Sequence, residues 1–330
     1  MKGYKMKTKR EKKGFTLVEL LTVMSVIAVL IGILVPALNY VRIMAKGTSQ
    51  SAQFHSISVA LDIFNGENDG YPASSILPAG GTANLTIGAQ RLAEALVGRD
   101  LLGFDSMTSW DADYDATTNP LKQEIYASIL KKSSSQAQED ASIARRKGPY
   151  LSGGNIEAYE IGQLYTGGIG NIYDGSPASG NPPAPVLTDC YRVQSVTLAN
   201  NKQAMAGSPI LYYKANTSLT GSNIFPKDTD TSITDAMAKS YVYNSMDNEE
   251  LINLGLMKDQ VNVLTNPHHY DIAYTDPATS RTGRRLFYDA IENPKITSQP
   301  RAYNQDKYIL ISAGYDGKYG TRDDITNFGD

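Results

Sequence analysis

The chain is poor in the side chains that most enzymes use for chemistry and that most secreted domains use for cross-linking. Of 330 residues one is cysteine, Cys190, and three are histidine. A single thiol excludes an intrachain disulfide even in an oxidising compartment, so the C-terminal region has to be pinned by other means. No His-Glu-x-x-His zinc motif, Gly-x-Ser-x-Gly elbow or Gly-x-x-x-x-Gly-Lys phosphate loop occurs, and no internal repeat is found. His268, His269 and Asp271 form the densest group of potentially catalytic residues. Adjacent histidines on a strand point apart, and exposed loop polarity is their expected role. The expectation is a protein without enzymatic activity.

Charge is missing from one further place. From Leu20 to Leu38 no side chain ionises, and these nineteen residues, at about 1.5 Å each, nearly span a hydrocarbon layer of about 30 Å. Ahead of Gly14 stand seven Lys or Arg residues against the single acid Glu11, a basic leader that stays cytoplasmic while the apolar segment enters the bilayer pointing outward. A secretory signal has a shorter apolar core followed by its cleavage site. Here the candidate cut, Gly14, precedes the apolar run.

Glu19 is the one acid in the opening of that helix. An ionised carboxylate in lipid costs at least about 2.5 kcal/mol and calls for a cation. A cut after Gly14 creates one, because the α-amine of Phe15 then lies four residues before Glu19, about one helical turn away on the same face. The pair can form within a subunit or between neighbours.

The run Lys12-Lys13-Gly14-Phe15-Thr16-Leu17-Val18-Glu19-Leu20-Leu21 resembles the start of type IV pilin and type II secretion pseudopilin precursors, with every diagnostic position from Gly14 to Leu21 filled. The resemblance implies that a membrane prepilin peptidase cuts between Gly14 and Phe15 and methylates the Phe15 amine. It also implies that Glu19 of an incoming subunit pairs with the Phe15 amine of the previous one during assembly. Gly32 and Pro36 interrupt the apolar helix. A kink is expected near Gly32, read either as tolerance of such residues in membrane helices or as a place where the helix loosens on leaving lipid.

Beyond the membrane segment, Val41, Met44, Phe54, Ile57, Leu61 and Phe64 recur at helical steps and predict an amphipathic stem to about Phe64. The turn formers Asn65-Gly66-Glu67-Asn68-Asp69-Gly70-Tyr71-Pro72 close it. The stretch from Ala60 to Pro72 is similar to the stem end of major pseudopilins. The expected organisation is a leader over 1–14, an assembly helix over 15–38, a stem over 39–66 and an extracytoplasmic head over 67–330. The expected fold class is α+β: the long N-terminal helix packed against a small antiparallel β-sheet, with large loop and helix insertions. Within the head, helices are predicted at Gln90–Val97, within Gln123–Arg146 and near Thr231–Ser240. An irregular loop is predicted over Thr166–Pro185, and strands around Cys190–Leu198, Pro209–Ala215 and Tyr308–Ser312. The twenty-one tyrosines suit core and sheet positions, or else an amphipathic contact surface.

Without the leader, 24 basic side chains face 33 acidic ones, a net of −9. An acidic exterior argues against nucleic acid as a partner. Near the end, Asp316, Asp323 and Asp324 stand among turn glycines. Taken alone they read either as a solvated acidic turn, partly neutralised by Lys318 and Arg322, or as oxygen donors for a hard cation such as Ca²⁺. The loop at 312–325 resembles the calcium loop of major pseudopilins, which makes these three acids the implied ligands.

Two classes of function follow. One is a structural subunit of a type II secretion pseudopilus or a type IV pilus-like filament. Its implied partners are copies of itself, minor pilins or pseudopilins, prepilin peptidase, an inner-membrane platform protein and a secretin. The other is a membrane-tethered extracytoplasmic binding or catalytic domain carried on a pilin-type export signal. Both place a single-pass chain in a bacterial inner membrane with its head on the periplasmic or extracellular side.

Overall fold

A computed structural model describes residues 14, 16–74, 85–106, 143–151, 157–174, 183–198, 201–219, 221, 224–257, 260 and 266–329. Residues 1–13 of the leader, Phe15, most of the helix predicted within Gln123–Arg146 and residues 175–182 of the predicted loop lie outside them. The fold is α+β. Two compact units emerge, Met1–Ala45 and Lys46–Asp330.

The first unit holds the beginning of helix α1, which is assigned without a break from Leu17 to Asn68 with Pro36 inside it. Its large apolar side chains from Leu17 to Met44 are all exposed, Leu17 at 79% and Ile33 at 70%. Val41 and Met44, expected to open the buried stripe, belong to this exposed set. The stripe starts later, at Gln50, and continues through Gln53, Phe54, Ile57, Ala60, Leu61 and Phe64. These steps of three and four residues keep one face turned inward. The helix runs past Phe64 to Asn68, whose side-chain amide donates to the Phe64 carbonyl at 3.0 Å. Asp69 then takes a left-handed φ of 54°, a common way for a helix to end.

The second unit is built from short pieces. Helix α2 spans Gly88–Val97, β1 Glu157–Glu160, α3 Ile161–Leu164, β2 Pro185–Thr188, β3 Gln194–Thr197, β4 Gln203–Ala206 and β5 Leu211–Lys214. Helix α4 follows at Asp235–Ser240, then α5 at Glu249–Ile252, α6 at Gly283–Ile291, β6 at Tyr308–Ser312 and β7 at Ile325–Thr326. In place of one sheet there are three small antiparallel ones, β1-β2, β3-β4 and β5-β6-β7. Strands of four or five residues supply too few ladder bonds to join into a single broad surface, and side chains take over the edges. Helix α2, strands β3, β5 and β6 and helix α4 fall where periodicity placed them. Helix α6, with its inward Phe287, Tyr288 and Ile291, was not anticipated.

The β5-β6 pair organises the interior. Leu211 faces Ile311 and Tyr212 faces Leu310 across the ladder, so alternate residues point to opposite sides. One side, with Tyr212, Tyr308 and Leu310, packs against stem residues Phe54, Ile57 and Leu61 and against Leu92 and Leu96 of α2. The other, with Leu211, Tyr213, Ile309 and Ile311, joins the larger cluster around Phe287, Tyr288 and Ile291. Eleven tyrosines are buried among the described residues, which assigns most of that residue type to the core.

The stem is therefore a structural wall of the head. Ile57 is completely buried and Ile63, two turns of sequence logic away on the other face, is 46% exposed. Replacing Ile57 by Ala should lower the unfolding free energy of the head by about 3 kcal/mol. Ile63→Ala should change it by less than about 0.5 kcal/mol. Chemical denaturation of the two variants checks this.

Candidate functional sites at the processing motif and the acidic loop

At the processing motif, Gly14 is exposed and an added Cβ there would meet no atom within 4 Å. Phe15 lies outside the described residues, so the geometry of its amine is not on view. Glu19 has a partner that spacing alone did not bring forward. Its Oε2 accepts from the Thr16 backbone N–H and from the Thr16 hydroxyl, each at 2.8 Å. The Glu19 N–H donates to Thr16 Oγ1 at 3.2 Å. This is a capping box, in which Thr16 and Glu19 satisfy each other at the first turn of a helix. Its signature, Thr followed three residues later by Glu before an apolar run, was available in the sequence.

Further along, the Thr22 hydroxyl donates to the Glu19 carbonyl at 3.0 Å and Ser25 to the Thr22 carbonyl at 2.8 Å. The hydroxyls thus bring no unsatisfied polar group into the apolar segment. Gly32 has open space around its Cα and Pro36 sits inside the unbroken helix. Because proline lacks an N–H, the carbonyl four residues earlier, that of Gly32, loses its helical partner.

In the acidic loop, Asp316 and Asp323 are brought together and Asp324 is turned inward. Asp323 Oδ2 accepts from the Asp316 N–H at 2.9 Å and Asp323 Oδ1 from the Thr321 hydroxyl at 2.5 Å. Asp316 Oδ1 accepts from the Lys318 N–H at 2.7 Å. Gly314 is required here. Its φ is 64°, and a Cβ on it would lie 2.1 Å from the Asp323 carbonyl oxygen. Burial, followed by the Asp323 charge among the smaller causes, pushes the Asp316 carboxyl up from its ordinary pKa. Asp324 Oδ2 accepts from the Gly320 N–H at 2.8 Å, and its Oδ1 is buried without a hydrogen-bond partner. Burial, with the charges of Asp323 and Asp316, lifts the Asp324 pKa to about 8. Among the described residues no three His, Cys, Asp or Glu side chains gather as a metal cluster. Asp316 and Asp323 are linked through the Asp316 N–H, and Asp324 is held apart from them by its bond to Gly320.

His268, His269 and Asp271 go separate ways. His268 is buried and its Nδ1 accepts from the Tyr319 N–H at 3.1 Å, which leaves the proton on Nε2. Burial depresses its pKa to about 4. His269 stacks on Tyr274 and contacts the Gly320 carbonyl, and Asp271 accepts from the Ala273 N–H. All three shape the turns beneath the acidic loop.

The means of pinning the tail is Asp189, which no local pattern announces. It is 2% exposed. Its Oδ1 accepts from the N–H groups of Tyr191 at 3.1 Å and Ser208 at 3.2 Å, and its Oδ2 from the Ser312 hydroxyl at 2.9 Å. The same turn is tied to the stem. Lys46 Nζ donates to the Tyr191 carbonyl at 2.6 Å, Gln53 to the Thr188 carbonyl at 2.9 Å, and Gln50 accepts from the Cys190 N–H at 3.0 Å. Stem, turn and C-terminal strand are joined by hydrogen bonds where a disulfide cannot form. The polar Gln50 and Gln53 on an otherwise apolar stripe were the readable sign.

Residues 9–35 match the family model described as the prokaryotic N-terminal methylation motif. The chain carries a pilin-type N-terminus. No curated protein and no solved structure matches it. The matched segment covers the basic approach, Gly14, the Thr16–Glu19 box and the first half of the exposed apolar helix.

Burial raises the Asp189 pKa to about 7. For Asp189 and Asp324 the folded state holds its proton more tightly than the unfolded one. Their contribution is full below the ordinary carboxylate range and is lost as pH rises through about 7 and about 8. His268 acts oppositely, but only below its unfolded value of about 6.5. Between pH 6.5 and 8 in chelator, the head should therefore lose stability as pH rises, on the order of 1 kcal/mol. Asp189→Asn should flatten the lower part of that slope. Asp189→Ala, which strands two backbone donors, should cost about 3 kcal/mol near neutral pH and should flatten the same part of the slope. Thermal unfolding across pH measures all three.

Proposed function

We propose that the mature protein is a structural subunit of a type II secretion pseudopilus or a type IV pilus-like filament. Prepilin peptidase releases it by cutting between Gly14 and Phe15 and methylating Phe15. The observation that carries this reading is the methylation motif over residues 9–35 set on a helix whose large apolar side chains, from Leu17 to Met44, are exposed. Such a surface is stable in lipid or against other copies of itself. The helix is long and apolar enough to cross a membrane once, and the basic leader orients it with the head on the periplasmic or extracellular side.

In the precursor, Glu19 is satisfied locally by Thr16, which lowers the cost of holding a carboxylate at the membrane. After cleavage the Phe15 amine of a neighbouring copy competes for the same carboxylate, and the new pair fixes the axial step between subunits. The other partners of this reading are minor pilins or pseudopilins, a platform protein in the inner membrane and a secretin. The Gly32 carbonyl freed by Pro36 marks where the helix would loosen on leaving lipid.

The acidic loop is proposed to hold Ca²⁺ between Asp316 and Asp323, where the ion would neutralise two facing carboxylates and stiffen the turn that follows β6. Asp324 supports the loop from inside.

Mass spectrometry of membrane-extracted protein should find N-methylated Phe15 as the first residue. Glu19→Ala should be processed and inserted normally yet yield few or no filaments by electron microscopy; normal filament yield in that variant would defeat the assembly role of Glu19. Excess Ca²⁺, at about 100 times its dissociation constant, should stabilise the head by about 2.7 kcal/mol. Asp316→Asn with Asp323→Asn should abolish that shift, and a wild-type melting curve indifferent to Ca²⁺ and chelator would remove the ion.

A further inference from the structure

The head contains a cavity that filament assembly does not use. Its volume is about 490 Å³, within the range that takes small molecules. It opens beside the end of β5, with Leu85, Ile87, Val242 and Met246 as apolar wall. Five charged side chains also line it: Lys214, Lys239, Asp247, Glu249 and Glu250.

Three of the five are accounted for. Asp247 accepts from the Ser74 hydroxyl and, at 2.9 Å, from the Asn244 amide. Both Glu249 oxygens are held by Arg284, at 2.5 and 2.8 Å. Lys239 is exposed and has the charge of Asp235 beside it. Lys214 and Glu250 remain. The Lys214 N–H donates to Ser74 Oγ at 3.0 Å, which fixes the backbone, but among the described residues its ammonium meets no acceptor. Burial alone pushes its pKa down. Glu250 meets no donor among the described residues, and burial followed by the charge of Glu249 pushes its pKa up. Neither relieves the other. Two half-buried charges of opposite sign, each without a counter-ion, cost the fold stability and return none. Sites that cost stability in this way are characteristic of binding rather than of packing.

We infer that this cavity binds a small zwitterion of the amino-acid type, a free apolar amino acid or a short apolar peptide. Its carboxylate meets Lys214, its ammonium meets Glu250, and its side chain lies against Leu85, Ile87, Val242 and Met246. The ligand supplies both missing counter-charges at once, whereas a simple anion would satisfy Lys214 and be repelled by Glu250, and a simple cation the reverse. The inference stands apart from filament formation, since the cavity belongs to the head.

The test is calorimetric titration of the purified full chain in detergent micelles with L-leucine and L-leucyl-L-leucine. 4-Methylpentanoate and isoamylamine serve as probes that each keep one charge and the same apolar body. Saturable binding of at least one zwitterion is expected, and the two arms separate amino acid from peptide. Both single-charge probes should bind at least about tenfold more weakly, and Lys214→Met and Glu250→Gln should each weaken the zwitterion by about tenfold or more. Lys214→Met should also leave the melting temperature unchanged or raise it, the opposite of what loss of a structural lysine does. The inference is overturned if neither zwitterion binds, if a single-charge probe binds equally well, if neither variant alters binding, or if Lys214→Met melts lower.

Discussion

The structure depends on one constraint: a helix whose large apolar side chains from Leu17 to Met44 are all exposed among the described residues. Hydrophobic side chains in that number do not rest in water. Everything upstream of the head is arranged around this fact. The hydroxyls of Thr22 and Ser25 donate hydrogen bonds to the helix backbone, and the single carboxylate of Glu19 is held by Thr16. On the proposed function the segment is covered by lipid first and by neighbouring copies afterwards.

The head answers a different problem, that of anchoring many short strands without a covalent cross-link. The continuation of the same helix gives it a wall, and the β5-β6 ladder uses that wall on one side and the aromatic cluster on the other. Asp189 then binds the turn that the stem grips to β6, the central strand of the three-stranded sheet. A carboxylate in this position is expensive, as its raised pKa records, and it is retained because three donors from three segments converge on it. Hydrogen bonds to a buried charged group are stronger than neutral ones, and removing their acceptor strands all the donors together. Asp189 thus does by convergence what a disulfide does by covalency.

What the sequence made legible was whatever is encoded by nearest neighbours along a period. The processing motif, the apolar run, the stripe Phe54-Ile57-Leu61-Phe64, helix α2 and strand β6 could all be read because each depends on local spacing. Val41 and Met44 misled because they continue that spacing into a segment whose large apolar side chains are exposed. Asp189 could not be found, since its three donors come from residues 191, 208 and 312 and no periodicity links them. The acidic loop falls between. Its glycines and acids announced a turn, but which acids face each other was decided by the left-handed Gly314 and by the inward rotation of Asp324. Helix α6 was missed because Arg284 and Arg285 interrupt its apolar pattern, although both are buried and ion-paired, Arg284 with Glu249 and Arg285 with Asp289.

The central claim is that the apolar segment needs a cover the single subunit does not have, while the head from Lys46 onward needs none. Sedimentation velocity on two purified forms, the mature chain and a head beginning at Lys46, tests it directly in buffer without detergent. The account predicts a folded, monomeric head, and a mature chain that remains monomeric only in detergent and associates when detergent is withdrawn. A mature chain that stays monomeric in plain buffer, or a head that aggregates without the preceding segment, would contradict it.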